Sequence, residues 1–137
     1  MPTGPARVLF VCLANSCRSQ MAEAFAKHLG QGKVEAWSAG SRPAGFIHPR
    51  TFEFMRERGL DLSGQRSKGL DELPQGIVWD WIVTMGCGDA CPNLPARRRL
   101  DWDLQDPVGL SDAEFRRVRD RIEENVRRLL AELPREP

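Results

Sequence analysis

Apolar and polar positions fall in short blocks along the 137-residue chain, and each block carries the period of one kind of element. Residues 7–12 contain Val8-Leu9-Phe10-Val11, an unbroken apolar run of strand length, continuous enough to be buried on both faces as in a parallel sheet. From Arg18 to about Leu29 the period becomes helical: Met21, Ala22, Phe25, Ala26 and Leu29 share one face, and Gly30 marks the stop. Val34-Glu35-Ala36-Trp37-Ser38 reads as a second strand. Pro49, then Phe52, Met55 and Arg56 before Gly59, predicts a second helix. Asp80-Trp81-Ile82-Val83-Thr84 is a third strand, residues 86–98 carry the Gly and Pro of a loop, and Leu100-Asp101-Trp102 is a short fourth strand. Ser111-Asp112-Ala113-Glu114 is a capping box opening a last helix, with the stripe Phe115, Val118, Ile122, Val126, Leu129, Leu130 and Leu133 before Pro134. Strands alternating with helices predict a doubly wound α/β three-layer sandwich around a four-stranded parallel sheet. In such folds ligands bind beyond the carboxyl ends of the strands.

Composition narrows the class. A chain of this length fits one domain, 1–137, and can bury a proper core. With 41% hydrophobic and 28% charged residues, it is ordinary for a soluble globular protein. The net charge of +1 argues against non-specific attraction to nucleic acid or to an anionic membrane. No apolar run reaches transmembrane length and no signal-peptide pattern is recognised, so the cytoplasm is the expected location. In that setting four cysteines read as catalytic or redox groups before they read as a structural framework.

The chemistry concentrates in Cys12-Leu13-Ala14-Asn15-Ser16-Cys17-Arg18-Ser19, between the first strand and the first helix. A tight strand-to-helix loop turns successive N–H groups inward and adds the positive end of the helix dipole, which suits a tetrahedral oxyanion. The same field favours thiolate at Cys12, making it a candidate nucleophile, while Arg18 can fork onto two oxygens of the anion. The alternative is a buried cysteine acting as a small hydrophobe, and a lone C-x5-R spacing does not discriminate. Placement between strand and helix, together with Ser19, does. Cys87 and Cys91 follow the third strand, which is expected to neighbour the first. Two thiols there permit a relay in which one attacks Cys12 and the other resolves the disulfide. An inert pair of loop thiols is the competing reading. A zinc site is disfavoured, because His28 and His48 are badly placed to complete four ligands.

The loop resembles the phosphate loop of the low-molecular-weight protein tyrosine phosphatase family. Asn15-Ser16-Cys17-Arg18-Ser19-Gln20-Met21-Ala22-Glu23 is closer to its arsenate reductase branch. Ser38-Ala39-Gly40, Val83-Thr84-Met85, Cys91-Pro92, Asp106-Pro107 and Glu114-Phe115-Arg116-Arg117-Val118-Arg119-Asp120 extend the resemblance over nearly the whole chain. It implies the low-molecular-weight phosphatase fold, arsenate bound by residues 13–19, and phosphate and sulfate as competing anions. It also implies a Cys12, Cys87, Cys91 relay regenerated by an external dithiol system, whether thioredoxin, mycothiol with a mycoredoxin, or glutathione with a glutaredoxin. No bound cofactor or metal and a monomeric state are expected. Cys17 becomes a supporting residue outside the relay. The three residues between Cys87 and Cys91 are fewer than in the best-known thioredoxin-coupled members, which marks a C-x3-C variant. The relay needs the segment Gly86–Arg98 to exchange between two conformations.

Two further residues enter through the resemblance. Asp106 in Asp106-Pro107-Val108-Gly109 corresponds to the family's acid loop, where a carboxyl protonates the leaving oxygen; the alternative is that Asp-Pro only starts a turn. A potassium site known in relatives maps to Asn15, Glu23, Ser38 and Lys68, and the lysine in place of a carboxylate predicts no ordered potassium. Asp101 and Asp103 are expected to be solvated or structural. Tyrosine is absent from the chain, so the aromatic grip of a phosphotyrosine phosphatase is missing after Asp106-Pro107. Hydrolysis of phosphomonoesters through a Cys12 phosphoenzyme ranks second. An oxyanion- or arsenite-binding module ranks third. Trp37, Trp79, Trp81 and Trp102 are expected in the core, and Arg97-Arg98-Arg99 in a solvated turn.

Overall fold

The computed structural model describes residues 4–86 and 94–133. In chain order they form β1 (Ala6–Cys12), α1 (Arg18–Leu29), β2 (Val34–Gly40), α2 (Pro49–Arg56), a single 3-10 turn at Leu70–Glu72, β3 (Trp79–Thr84), β4 (Ala96–Asp101) and α3 (Asp112–Glu132). The strands lie in the order β2-β1-β3-β4 and every pairing is parallel. β1 is central, as its unbroken apolar run requires, and β3 is its neighbour. The register Cys12↔Gly40 brings the end of β2 beside the end of β1.

Period-two alternation along β1 supplies two cores. Val8, Phe10 and Cys12 face a cluster with Met21 and Phe25 of α1, Phe54 and Met55 of α2, and Phe115, Ile122 and Val126 of α3. Leu9 and Val11 face a smaller cluster with Leu73, Trp79 and Ile82. Leu70 and Ile77 pack against it from the 3-10 segment and its exit. Trp79 and Trp81 are buried, Trp102 packs on Phe10 at 5.8 Å between ring centres, and Trp37 meets Trp79 edge-on. The tryptophans therefore serve the core, as expected. α3 follows its predicted stripe: Ser111 Oγ accepts from Glu114 N at 3.2 Å, completing half of the capping box.

Two strands depart from the sequence expectation by two residues or more. β4 begins at Ala96 and ends at Asp101, so Arg97, Arg98 and Arg99 lie in a strand and not in a solvated turn. An edge strand tolerates charge because one side faces water, and cations there discourage pairing with other chains. The arginines are also supported: Arg97 pairs with Asp80 at 3.3 Å, Arg98 lies 5.3 Å over Trp81, and Arg99 donates to Leu94 O. The part of the predicted 86–98 loop from Ala96 onward is thus β-structure, and Cys87 and Cys91 lie outside the described residues. β2 also runs on to Gly40, two residues further than its apolar pattern suggests.

Candidate active site

The loop between β1 and α1 is held from outside by its carbonyls. Leu13 O accepts from Arg42 N and Ala14 O from Ala44 N, both at 2.9 Å; Ser67 Oγ adds a second donor to Ala14 O at 3.1 Å. Asn15 O accepts from Gln20 Nε2 at 3.1 Å, and Ser16 O from His48 N at 3.1 Å and Thr51 Oγ1 at 3.0 Å. Carbonyls turned outward leave the amides turned inward. Among the described residues the N–H groups from Ala14 to Arg18 have no protein acceptor. Stacked at the N-terminus of α1, they form the concave donor set a tetrahedral oxyanion fits.

Asn15 makes this bend possible. Its φ of 48° is the left-handed conformation that asparagine tolerates better than most side chains, and the residue is fully buried. Oδ1 accepts from Gln20 Nε2 and Lys68 N at 2.9 Å each, and Nδ2 donates to Ser19 Oγ at 2.8 Å. With its oxygen occupied by that N–H, Ser19 can turn its own hydroxyl proton toward Cys12 Sγ, 2.9 Å away. A thiolate at Cys12 accepts from that hydroxyl. Asn15 and Ser19 thus shape and polarise the loop from behind, while Leu13, Ala14, Ser16, Cys17 and Arg18 line the cavity.

That cavity, about 240 Å³, is closed by Cys12, Ala44, Phe46, His48, Asp106 and Val108. Arg18 is buried, with Nη1 donating to Met85 O at 2.7 Å and Leu104 O at 2.8 Å, which fixes the guanidinium at the cavity wall. Asp106 is brought to the same cavity, and its Oδ1 also accepts from Val108 N at 3.1 Å. The residue therefore starts a turn and lines the cavity that also holds Cys12. Burial pushes the Cys17 thiol up to about 12, against a bond to the Thr51 side chain that lowers it. Cys17 therefore stays protonated where a nucleophile must ionise.

Lys68 replaces the carboxylate of the mapped cation site. Its Nζ lies 3.9 Å from Glu23 Oε1, and Ser38 Oγ donates to that same oxygen. Burial holds the Lys68 ammonium below the usual lysine range, with Glu23 opposing that shift. Asp101 proves structural, accepting from Thr84 Oγ1 at 2.6 Å and Gly86 N at 3.2 Å.

Sequence reasoning set His48 aside as a poor metal ligand, yet it caps α2 through Nδ1, which accepts from Arg50 N at 3.1 Å, and lines the cavity. Phe46, 58% exposed, stands at the cavity's mouth with the expected loop residue Leu13, 45% exposed, and no sequence pattern marks Phe46. A separate depression of about 320 Å³ between α1, α2 and α3 is lined by Glu57, Arg58, Glu123 and Arg127, which pair among themselves and with neighbours, and it holds no cysteine.

Comparison with known proteins agrees with this geometry. A glutaredoxin arsenate reductase of Synechocystis is 40% identical over 130 residues, 93% of this chain and 98% of that protein. A solved arsenate reductase in its phosphate-binding state matches with a TM-score of 0.83 at 40% identity, covering 94% of this chain and 99% of that one. The thioredoxin-dependent arsenate reductase of Corynebacterium glutamicum matches at 34% identity and a TM-score of 0.77, over 96% of this chain and 63% of that one. The model of the low molecular weight phosphotyrosine protein phosphatase family matches residues 7–137, and the chain belongs to that family.

Proposed function

We propose that the chain is an arsenate reductase. The observation that carries this reading is a buried cysteine at the floor of an amide-lined bowl, with Arg18 and Asp106 facing the same cavity. Arsenate binds to the inward amides and Arg18. Cys12 thiolate attacks arsenic, and Asp106 gives a proton to the departing oxygen, which leaves as water. Cys87 then attacks Cys12 Sγ; the S–As bond breaks with its electron pair on arsenic, releasing arsenite and leaving a Cys12–Cys87 disulfide. Cys91 attacks Cys87, frees Cys12 and leaves a Cys87–Cys91 disulfide for an external dithiol to reduce. Gly86, the last described residue before Cys87, follows Met85, whose carbonyl holds Arg18, and this supports a relay leaving from the cavity wall.

The reductant is a thioredoxin-type protein, or a glutaredoxin or mycoredoxin working with its small thiol. The named relatives include both a glutaredoxin and a thioredoxin type. A reducing compartment, the cytoplasm, is the setting such a cycle needs. The enzyme works as a monomeric single domain, with phosphate and sulfate competing for the bowl. No described helix is long and apolar enough to cross a membrane.

Arsenite formation coupled in turn to each reductant, in wild type and in single Cys→Ser variants, tests the reading. Cys12→Ser should abolish turnover, and Cys87→Ser and Cys91→Ser should reduce it to at most a single round. Full multiple turnover in Cys91→Ser overturns the relay. The apolar mouth formed by Leu13 and Phe46 favours a second reading, hydrolysis of an organic phosphomonoester, since inorganic arsenate gains nothing from it. Vigorous turnover of an aryl phosphate, indifferent to Cys87→Ser and Cys91→Ser, would place that activity first.

A further inference from the structure

Arg50, in the first turn of α2, lies two residues beyond His48 and applies its guanidinium to one segment of the chain. Nη1 donates to Val108 O and Leu110 O at 2.7 Å each and reaches Pro107 O at 3.4 Å, while Nη2 donates to Asp112 Oδ1 at 2.8 Å. Its plane lies over Phe115 at 4.8 Å and Phe54 at 5.3 Å, two rings that stack on each other at 4.5 Å. The segment so held begins one residue after Asp106 and ends where α3 starts. Asp106 itself is exposed, and among the described residues only the turn bond from Val108 N fixes its carboxyl.

We propose that Arg50 is a positioning residue for proton transfer: it fixes the Asp106 carboxyl over Cys12 by clamping residues 107–112, without touching the anion. The inference rests on the reading of Asp106 as the proton donor. Because Oδ1 accepts from Val108 N–H, the transferable proton sits on Oδ2. It passes to the oxygen leaving arsenic as the S–As bond forms, and Asp106 is left as carboxylate. An arginine is required because only a planar fork reaches several carbonyls and a carboxylate at once; a lysine is a point charge with one centre. A loop without this clamp retains Asp106 but lets it wander, and misplacement of about 1 Å is enough to cost on the order of a hundredfold in rate.

The test measures arsenite produced in a single turnover by fully reduced enzyme, in wild type, Arg50→Met, Arg50→Lys, Asp106→Asn and the two double variants. Sulfate affinity by calorimetry and melting temperature are recorded for each. Arg50→Met should slow the turnover by roughly ten- to a hundredfold, within the span that general acid catalysis contributes. Sulfate affinity should hold to within about twofold, since Arg50 is not among the residues that line the cavity. Arg50→Lys, which keeps the aliphatic stem against Phe54 and Phe115, should fall between, and carries the test if the methionine variant fails to fold. In the Asp106→Asn background neither Arg50 substitution should slow the reaction further, because the two act as a unit. Equal slowing with and without Asp106, or a loss of sulfate affinity parallel to the loss of rate, overturns the positioning role. If Asp106→Asn alone reacts as fast as wild type, the acid assignment is what has failed, and that failure appears in a variant whose Arg50 is intact.

Discussion

Gly40→Ala should damage the oxyanion loop more than the fold. Gly40 ends β2 opposite Cys12, and its amide donates to Lys68 O at 2.9 Å. A Cβ placed there would stand 2.6 Å from Leu13 O, 2.9 Å from Asn15 N and 3.0 Å from Asn15 Cβ. Two of these are backbone atoms of the loop, so no flexible side chain can swing aside. An ordinary contact begins at 3.4 Å, so the Leu13 carbonyl must retreat by about 0.8 Å. That carbonyl is tied to Arg42 N, and Asn15 is tied to Gln20 and Lys68, so the displacement spreads through the bowl. Overpacking of this kind costs about 1–3 kcal/mol of stability. A shift approaching 1 Å in the amides costs on the order of a hundredfold in rate. Urea denaturation and sulfate titration of the same preparation separate the two effects. Oxyanion affinity should fall at least about tenfold, a larger effect than a cost of about 1–3 kcal/mol imposes on a protein that stays folded. Affinity and turnover within about twofold of wild type would refute the argument that the β2 end shapes the bowl.

Ser19→Ala removes the hydroxyl 2.9 Å from Cys12 Sγ and leaves Asn15 Nδ2 without its acceptor. A hydrogen bond to a charged group is worth about 1.5–3 kcal/mol, so the single-turnover rate should fall roughly ten- to a hundredfold, measured by rapid quench. A rate equal to wild type would remove Ser19 from the account. Cys17 should remain a thiol in the folded protein well above pH 9.0, because burial pushes it up to about 12. The thiolate ultraviolet absorbance of a Cys12, Cys87, Cys91→Ser triple variant should stay flat until the protein unfolds, and the stability this thiol contributes is present below pH 9.0 and lost between there and about 12. Glu57 is held down to about 2 by hydrogen bonds first from Arg116 and then from Arg119. Its stabilising contribution is therefore present above pH 4.5 and lost as pH falls toward 2, so Glu57→Gln should flatten the acid limb of a denaturation series there, and an unchanged limb would count against the pairing.

What the sequence carries and what it withholds divide along a physical line. β1, α1 and α3 announce themselves because their signals are local: a run of apolar residues, a 3.6-residue stripe, a serine three residues before a glutamate. The loop from Cys12 to Ser19 is legible for the same reason, since amide donors, thiol and guanidinium all belong to one contiguous segment. β4 reads short in the sequence because three arginines look like solvent, and support for two of them comes from Asp80 and Trp81 of a neighbouring strand. His48 caps α2 with an imidazole, outside the usual capping residues, so its role carries no local pattern.

The tie between Arg50 and Val108 joins positions 58 residues apart, and the packing of α2 against α3 brings them together. Several supports of the loop are of this second kind: Lys68 N on Asn15, Thr51 on Ser16, Gly40 under Leu13. A sequence therefore displays the groups that do chemistry more readily than the groups that hold them still. That asymmetry follows from where each lies in the chain. The thiol, the arginine and the turn of amides lie in one contiguous segment here and show together in the sequence. Support can be recruited from any element the fold brings near, so substitutions at Arg50 and Gly40 should tell more about this site than further changes to the bowl itself.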